Sequence, residues 1–232
     1  MISQATWVDL GNPRPRERVE AFEPVVWPLG QPAPLQSNDG NANGAAALTF
    51  REVALGRRSR RAFAGLTRKA LSQFLELTCR TQRVRELAPG LKLSQRPAPS
   101  AGAIHPIHVL IVEPQAERVH RYDPLGHALA PVESPLNLRA LRDAVGQVLA
   151  PQSGTIVLLA AEPSRTAAKY EESSSLVWRD AGALIGVMAL AAESLGLAFC
   201  ALGITGEPFV SQLLDQAALT GVGVVVLGAR AD

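Results

Sequence analysis

The chain has 232 residues, of which 47% are apolar and 19% are charged. This is the composition of a folded globular protein, and the length suits one domain or two small ones with a substantial hydrophobic core. Lysine and arginine number 23 against 21 acidic residues, so the net charge of +2 lacks the basic excess of a nucleic-acid-binding protein.

Signals for a membrane span, for secretion and for a metal site are missing from the sequence. The longest uncharged apolar run, Ala181 to Ala192, is shorter than the ~20 residues of a membrane span, and no secretory signal opens the chain. Neither the two cysteines, Cys79 and Cys200, nor the four histidines have metal-ligand spacing. We expect a soluble cytoplasmic protein with two buried thiols, no metal and no membrane or nucleic-acid partner.

Residues 1–47 differ in composition from the remainder. They are rich in Pro, Gly, Asn and Gln without any hydrophobic period, which predicts an extended arm before a globular domain of residues 48–232. Trp7, Phe22 and Trp27 are scattered through this arm. Isolated aromatic side chains can dock in grooves on the chain's own core or on a partner subunit, and the sequence favours neither.

From residue 48 onwards, helices and strands alternate. The predicted elements are a helix over 48–55 that ends at Gly56, a helix that Thr67 caps, a loop over 84–99, a strand over 107–112, a hairpin of 119–122 and 127–132, a helix over 138–149, a strand over 154–161, a helix over 176–195 that ends at Gly196, a strand over 197–202, a helix over 207–214 and a strand over 222–227. This order favours an α+β or α/β domain in three layers.

The helix predicted over residues 176–195 is apolar on nearly every face, which indicates a central position. It is also rich in small residues, which let a second helix approach closely. These are Ala181, Gly182, Ala183, Gly186, Ala189, Ala191 and Ala192.

Two short segments carry candidate ligand-binding residues. Arg57, Arg58, Ser59, Arg60 and Arg61 stand together after the first helix, and guanidinium groups with a hydroxyl suit a phosphate dianion. The alternative is a solvated basic face.

The other segment is the loop Pro99–Pro106 before the strand over 107–112. Its residues Ser100, Ala101 and Gly102 are small, so backbone N–H groups can approach a ligand closely. The alternative here is an ordinary connection.

Three segments together resemble the nitroreductase-like flavoproteins, over about residues 50–228. The run from Arg57 to Phe63 is similar to the family's Arg-x-Ser-x-Lys/Arg-x-Phe motif, Pro99–Ala103 to its Pro-Ser-rich loop, and Leu195–Gly203 to its Gly-Leu strand end. The resemblance implies an α+β, nitroreductase-like three-layer sandwich with a central, mostly antiparallel sheet flanked by helices. It also implies a homodimer with FMN at the subunit interface.

The same resemblance assigns residues to the FMN. The phosphate would be held by Arg57, Ser59 and Arg61, with Arg58 beside them, and Arg230 would replace a basic residue that the family places later. The flavin would lie along the loop and face the backbone of the Gly-Leu strand end. The expected contacts there are Pro99, Ser100, Ala101, Gly102, His105, Leu202 and Gly203.

A narrower resemblance concerns the azoline-oxidase branch of that family. It rests on Ser100–Pro106, on Arg121–Pro124 ahead of His127, and on Lys169-Tyr170 ahead of Asp180. These enzymes oxidise thiazoline or oxazoline rings of a ribosomal precursor peptide to thiazole or oxazole, alongside a cyclodehydratase partner. The resemblance makes Lys169 and Tyr170 the catalytic pair. His105 stands where the branch usually has Tyr.

The residue types suit that chemistry, because aromatising an azoline removes a hydride and a proton. A desolvated Lys, or a Tyr polarised by it, can accept the proton. Two other functions stay open: an NAD(P)H-dependent nitro- or quinone reductase on the same fold, and a flavin-free scaffold subunit that recruits a peptide-modifying partner. A surface role for the Lys-Tyr pair also stays open.

Overall fold

The computed structural model of the chain describes residues 10–36, 48–150, 153–214 and 218–231. Within them it has twelve strands and five helices, numbered in chain order. The strands are β1 (Arg14–Pro15), β2 (Ala33–Pro34), β3 (Phe63–Ala64), β4 (Arg83–Ala88), β5 (Leu91–Gln95), β6 (Ile107–Val112), β7 (His120–Asp123), β8 (Ala128–Pro131), β9 (Thr155–Ala161), β10 (Tyr170–Glu171), β11 (Leu197–Ala201) and β12 (Thr220–Arg230). The helices are α1 (Phe50–Gly56), α2 (Arg68–Cys79), α3 (Leu138–Val148), α4 (Pro163–Ala167) and α5 (Ser174–Ser194).

Eight of these strands form one sheet in which every pairing is antiparallel. Its order is β11, β12, β9, β6, β7, β8 and β2, and β3 pairs with the end of β12. All seven positions of β9 are buried, so this strand is the centre of the domain. The hairpin predicted over residues 119–132 is present as β7 and β8.

The side chains on the two faces of the sheet form two separate cores. Successive residues of β9 alternate between them, with Val157 and Leu159 in one core and Ile156 and Leu158 in the other. Helices α2 and α5 cover the first face, while α3 and the segment 210–214 cover the second. Helices on both faces of an antiparallel sheet make a three-layer α+β sandwich, which confirms the predicted fold class.

Local sequence explains where the helices begin and end. The Thr49 hydroxyl accepts a hydrogen bond from the Glu52 N–H, and the Glu52 carboxylate accepts one from the Thr49 N–H, so both cap α1. The Thr67 hydroxyl caps α2 by accepting from the Ala70 N–H at 3.1 Å. After α5, Gly196 has a φ of +68°, which glycine adopts without steric cost.

Two segments differ from the prediction. Residues 84–99, predicted as a loop, contain most of the antiparallel hairpin of β4 and β5. Four of the six β4 residues are exposed, so the strand has no hydrophobic alternation that reveals it. Residues 207–214, predicted as a helix, form successive turns instead: the Val210 N–H bonds four residues back, but the Leu213 N–H bonds only three residues back.

Helix α5 packs along the first face of the sheet and makes close contacts with α2 and β11. Among the described residues it is the one helix long and apolar enough to cross a membrane. By composition and length a core helix satisfies the same criterion, and 44% of its most apolar stretch is buried inside the fold. Its outer face is different: Trp178, Gly182 and Gly186 are exposed.

Residues 10–36 of the arm lie on the core of the same chain. β1 pairs with β10, and β2 extends the large sheet by pairing with β8. The Phe22 side chain is buried against Leu91 and Ala168, and Leu35 joins the first core. Of the aromatic residues singled out in the arm, Phe22 and Trp27 dock on their own chain, whereas Trp7 lies outside the described residues.

Candidate functional site

The arginine-rich run connects α1 to β3 and lies beside the end of β12. Its side chains Arg57, Arg58, Ser59 and Arg61 are exposed. Within the described part of the chain, none of the four forms a hydrogen bond or an ion pair. Three guanidinium groups without an internal partner are available for an anion from outside, and their number suits a phosphate dianion.

A carboxylate anchors the base of this run. Arg60 turns inward, and its guanidinium lies 3.1 Å from Glu193 of α5. Arg230, which was expected at the phosphate, lies 3.0 Å from the same carboxylate. Arg230 therefore stands beside the run, as expected, but its charge is shared with a structural ion pair. The sequence did not single out Glu193, although it is the first acidic residue after a long uncharged stretch of α5.

The loop over Pro99–Gly102 is held by a second carboxylate of the same helix. Asp180 accepts a hydrogen bond from the Ser100 hydroxyl at 2.5 Å and one from the Ala101 N–H at 2.9 Å. The Ser100 oxygen in turn accepts from the His105 N–H at 2.9 Å. Burial raises the pKa of Asp180, and the two hydrogen bonds oppose that shift. The Ser100 hydroxyl, expected to contact a ligand, orients the loop instead.

Lys169 and Tyr170 converge on Gly102 of that loop. The Lys169 ammonium lies 3.4 Å from the Gly102 carbonyl oxygen and 5.4 Å from the centre of the Tyr170 ring. A Cβ on Gly102 would lie 2.6 Å from the Lys169 Nζ and 2.6 Å from the Tyr170 Oη. Gly102 also has a φ of +60°. The absence of a side chain at Gly102 thus makes room for an amine and a phenol side by side.

His105 lies at the end of the loop with a φ of +50°, a left-handed conformation that is uncommon for a residue with a side chain. Burial, with a smaller effect of the Arg96 charge, lowers its pKa to about 3. The imidazole is therefore neutral at physiological pH. At the position where the azoline-oxidase branch usually has Tyr, this chain presents an uncharged, half-buried ring.

Gly102, His105 and Lys169 line a cleft of about 750 Å³ between the loop and the β4–β5 hairpin. The volume is within the range of small-molecule sites. Its charged lining residues are Arg83, Arg85, Arg96 and Lys169, so the cleft is positively charged. Sequence reasoning missed the contribution of the hairpin because it predicted a loop there.

Within one chain, the arginine-rich run and the cleft lie near opposite ends of helix α5. Asp180 and Glu193, which anchor the two places, are thirteen residues apart on α5, about 20 Å along a helix. Leu202 and Gly203 follow β11 at the end of the sheet away from Arg230. The chain thus brings the loop, Lys169 and Tyr170 together, and it places the arginine-rich run elsewhere.

The part of the chain that the structure describes contains no candidate metal site. No group of three or more His, Cys, Asp or Glu residues there is arranged to hold a metal ion. Cys79 and Cys200 are both buried free thiols.

Comparison with known proteins places this geometry in a family. The nitroreductase family matches residues 54–228. A protein of Ralstonia eutropha JMP134 classed as a nitroreductase superposes with a TM-score of 0.63 at 18% identity, over 92% of this chain and 98% of the other. The E. coli microcin synthetase McbBCD complex, with truncated pro-MccB17 bound, superposes with a TM-score of 0.58 at 17% identity, over 85% and 79% of the two chains.

A third similar structure, from Desulfovibrio desulfuricans, is a protein classed as a nitroreductase in complex with FMN. Its TM-score is 0.52 at 18% identity, over 81% of this chain and 89% of the other. No curated protein sequence matches the chain significantly. At these identities the structural matches establish the fold, and the sequence match covers most of the folded domain. The chain belongs to the nitroreductase family.

Proposed function

We propose that this protein is an FMN-dependent oxidoreductase that oxidises thiazoline or oxazoline rings of a ribosomal precursor peptide to thiazole or oxazole. The observation that carries the proposal is the convergence of the Lys169 Nζ and the Tyr170 hydroxyl on Gly102, at the wall of a large cleft. A nitro- or quinone reductase has no need of such a pair. The peptide-bound E. coli synthetase complex, which contains a chain of similar fold, supports a peptide as the substrate and the other subunits of a synthetase as partners.

The residues present fit FMN as the cofactor, which the family and the FMN complex of the D. desulfuricans protein also support. Arg57, Arg58, Ser59 and Arg61 would hold the phosphate, because their side chains are exposed and have no internal partner among the described residues. Bound FMN would supply the two-electron acceptor of the reaction.

We also propose a homodimer with the flavin at the subunit interface, which the separation of the arginine-rich run from the cleft supports. In one chain the arginine-rich run and the cleft are too far apart for one FMN to reach both easily, whereas a second copy can bring its own arginine-rich run towards the cleft. The outer face of α5 supports this arrangement, since the exposed Gly182 and Gly186 have no atom within 4 Å of a Cβ built on them. A second helix can approach such a face closely.

Within this site, Lys169 and Tyr170 handle the proton of the reaction. Aromatisation of the ring removes one hydride and one proton, and the base must lie beside the carbon that loses the proton. In its unprotonated form the Lys169 amine, which lies beside the Gly102 carbonyl, accepts the proton directly or through the Tyr170 hydroxyl. Asp180 keeps the loop between Pro99 and His105 in place beside this pair.

The decisive experiment uses the purified full-length chain and a synthetic peptide that carries one thiazoline. We expect a protein with a flavin absorption band, anaerobic bleaching of that band by the peptide, and a product two hydrogens lighter. Lys169→Ala should keep the flavin but lose bleaching, whereas Lys69→Ala, at an exposed lysine of α2, should keep both. Bleaching by NADPH with reoxidation by nitroaromatics, and none by the peptide, would support a reductase instead. A colourless protein that cannot be loaded with FMN would support a scaffold.

A further inference from the structure

Behind the cleft lies a second, smaller cavity that the proposed reaction does not use. Its volume is about 40 Å³, and three arginines from three different elements line it: Arg96, Arg121 and Arg165. Arg96 and His105 line both this cavity and the cleft, so they form the wall between the two spaces.

None of the three guanidinium groups forms an ion pair with a carboxylate of the described residues. Their hydrogen bonds go to neutral acceptors: the Ser94 hydroxyl for Arg96, the His108 ring for Arg121 and the Lys92 carbonyl for Arg165. The Nε groups of Arg121 and Arg165 are buried and have no partner among the described residues.

Two carboxylates act on this cluster, Asp123 on Arg121 and Glu162 on Arg121 and Arg165, and both oxygens of Glu162 are engaged elsewhere. One accepts from the Val25 N–H at 2.6 Å, and the other lies 2.9 Å from the His108 Nε2. No arginine approaches Glu162 within ion-pair distance in the described part of the chain. Three arginines thus line the cavity, while neither carboxylate lines it, and both carboxylates already accept hydrogen bonds from other groups.

The other titratable groups that line the cavity add no charge. Burial lowers the pKa of His105 to about 3 and that of His108 to about 4, so both rings are neutral. Burial raises the pKa of Cys79 to about 11 and also raises the pKa of the Tyr122 phenol. Burial lowers even the pKa of Arg96, to about 10, because its positive charge is poorly compensated.

The arm closes the outer side of this cluster. The Trp27 ring lies 4.8 Å from the Arg121 guanidinium, and the Phe22 ring lies 5.8 Å from that of Arg165. Trp27 also packs edge-on against His108, with the ring centres 5.0 Å apart. Aromatic faces stabilise a cation without neutralising it. Two arm residues thus cover Arg121 and Arg165 on one side and leave their charge to be balanced by another group.

We propose that this cavity is a carboxylate-binding site. The carboxylate belongs to the substrate and reaches the cavity from the cleft, past Arg96 and His105. A volume of about 40 Å³ holds roughly three water-sized groups, which matches the three heavy atoms of a carboxylate and is small for a phosphate. Guanidinium forks bind carboxylates with two parallel hydrogen bonds. That the carboxylate belongs to the substrate rests on the proposed function; the anion site itself does not.

The anion site is tested by thermal unfolding of the full-length protein in acetate, with chloride of equal ionic strength as the reference and inorganic phosphate as a second probe. We expect acetate to raise Tm by about 3–6 °C at a concentration tenfold above its Kd. Phosphate should give a smaller rise. A wild-type protein without any acetate-specific rise overturns the proposal.

Substitution of an arginine of the cluster should raise Tm in the absence of acetate, although it removes the stabilisation that acetate gives. Arg96→Met should remove the acetate effect and raise Tm in acetate-free buffer, because an uncompensated buried charge is gone. Arg121→Met is the second variant and has the same expected result. Arg139→Met, at an exposed arginine of α3, should behave as the wild type. An acetate effect that persists in both cluster variants overturns the site.

The source of the carboxylate is tested with two thiazoline peptides, one ending in a free acid beside the ring and the other in an amide. We expect the acid to have a KM for flavin reduction at least tenfold lower, and Arg96→Met to abolish that difference. Equal KM values together with an intact acetate effect would overturn the substrate as the source and support a free small carboxylate. If neither peptide reduces the flavin, the proposed function fails while the acetate result still decides the anion site.

Discussion

Gly102 determines whether Lys169 and Tyr170 can occupy their positions. With its φ of +60°, an alanine there costs roughly 1–2 kcal/mol, and its Cβ would lie 2.6 Å from both polar side-chain ends. Gly102→Ala should therefore lower the free energy of unfolding by that amount and slow flavin reduction by the peptide at least tenfold. Urea unfolding and stopped-flow absorbance measure the two effects. Gly146→Ala, at an exposed α3 glycine with open space around it, should cause neither.

His108 should make the folded state sensitive to acid. Burial lowers its pKa from 6.5 to about 4 in the folded protein, whereas the unfolded chain has the ordinary value. Between these limits the unfolded state binds the extra proton, so stability is fully present above pH 6.5 and falls by up to about 1.4 kcal/mol per pH unit as the pH decreases towards 4.

The contribution of His108 can be isolated by difference. Burial also lowers the pKa of His105 and raises that of Asp180. Both groups are present in the wild type and in a His108→Gln variant, so their effects cancel in the difference between the two proteins. Glutamine can still donate to Glu162. Urea unfolding at several pH values from 4.5 to 7.5 should show a shallower decrease for the variant, by close to one proton. Parallel curves for the two proteins would contradict the neutral, buried His108.

Sequence reasoning found the residues that carry local signatures and missed those that act at a distance. The loop residues Ser100 to Gly102 and the Lys169-Tyr170 pair were singled out from short motifs, and the structure brings them together. Asp180 and Arg96 were not assigned roles, because their importance comes from contacts that form only on folding. Asp180, for example, is eighty residues from Ser100. The available signal was a carboxylate at the start of a long uncharged, apolar stretch of α5.

The run between α1 and β3 presents its arginines to the outside because its neighbours hold it from beneath. The Arg60 N–H bonds to the Phe199 carbonyl at 2.9 Å, and the Arg60 side chain pairs with Glu193, so adjacent side chains point away from the core. The two charged side chains expected at the FMN phosphate, Arg57 and Arg61, are therefore free to bind an anion without a structural role of their own.

Loss of either arginine should weaken FMN binding without affecting folding. Arg57→Ala or Arg61→Ala removes one charge-assisted hydrogen-bonding group, worth about 1.5–3 kcal/mol, which raises the Kd for FMN roughly 10- to 150-fold. Fluorescence titration of the flavin-free protein measures this change, and Tm should stay within 1–2 °C, about the effect of a surface substitution. Arg51→Ala, at an exposed arginine of α1, is the matched control. Unaltered FMN affinity in both variants would show that the run is a solvated basic face.

The β4–β5 hairpin shows why part of the cleft could not be predicted. A strand is recognised in sequence by alternating apolar residues, and β4 is mostly exposed and charged because it packs on little besides β5. The strands of the large sheet were predictable for the opposite reason. β6 and β9 are buried on both faces, and such strands appear as continuous apolar runs between turn residues.

The amphipathic and apolar segments of the sequence account for the fold of the domain, but they do not account for a complete site within one chain. Helices α2 and α3 have one apolar face each and cover opposite faces of the sheet, which gives the three-layer sandwich. Helix α5 keeps small residues on an exposed face that the single chain does not use. In the proposed homodimer, the separation between the arginine-rich run and the cleft, about 20 Å along α5, would give that face the role of bringing a second copy to the site.

Gly182→Leu tests that arrangement directly. A Cβ at Gly182 meets no atom within 4 Å, so leucine fits the single chain and improves helix propensity. In a dimer with closely packed α5 helices the same side chain would force the two backbones apart. We expect a folded monomer in sedimentation velocity, with unchanged circular dichroism and loss of bound FMN. Gly146→Leu, in equally open space on α3, should stay dimeric and retain the flavin. A Gly182→Leu protein that is still a dimer and still yellow would contradict an interface on this face of α5.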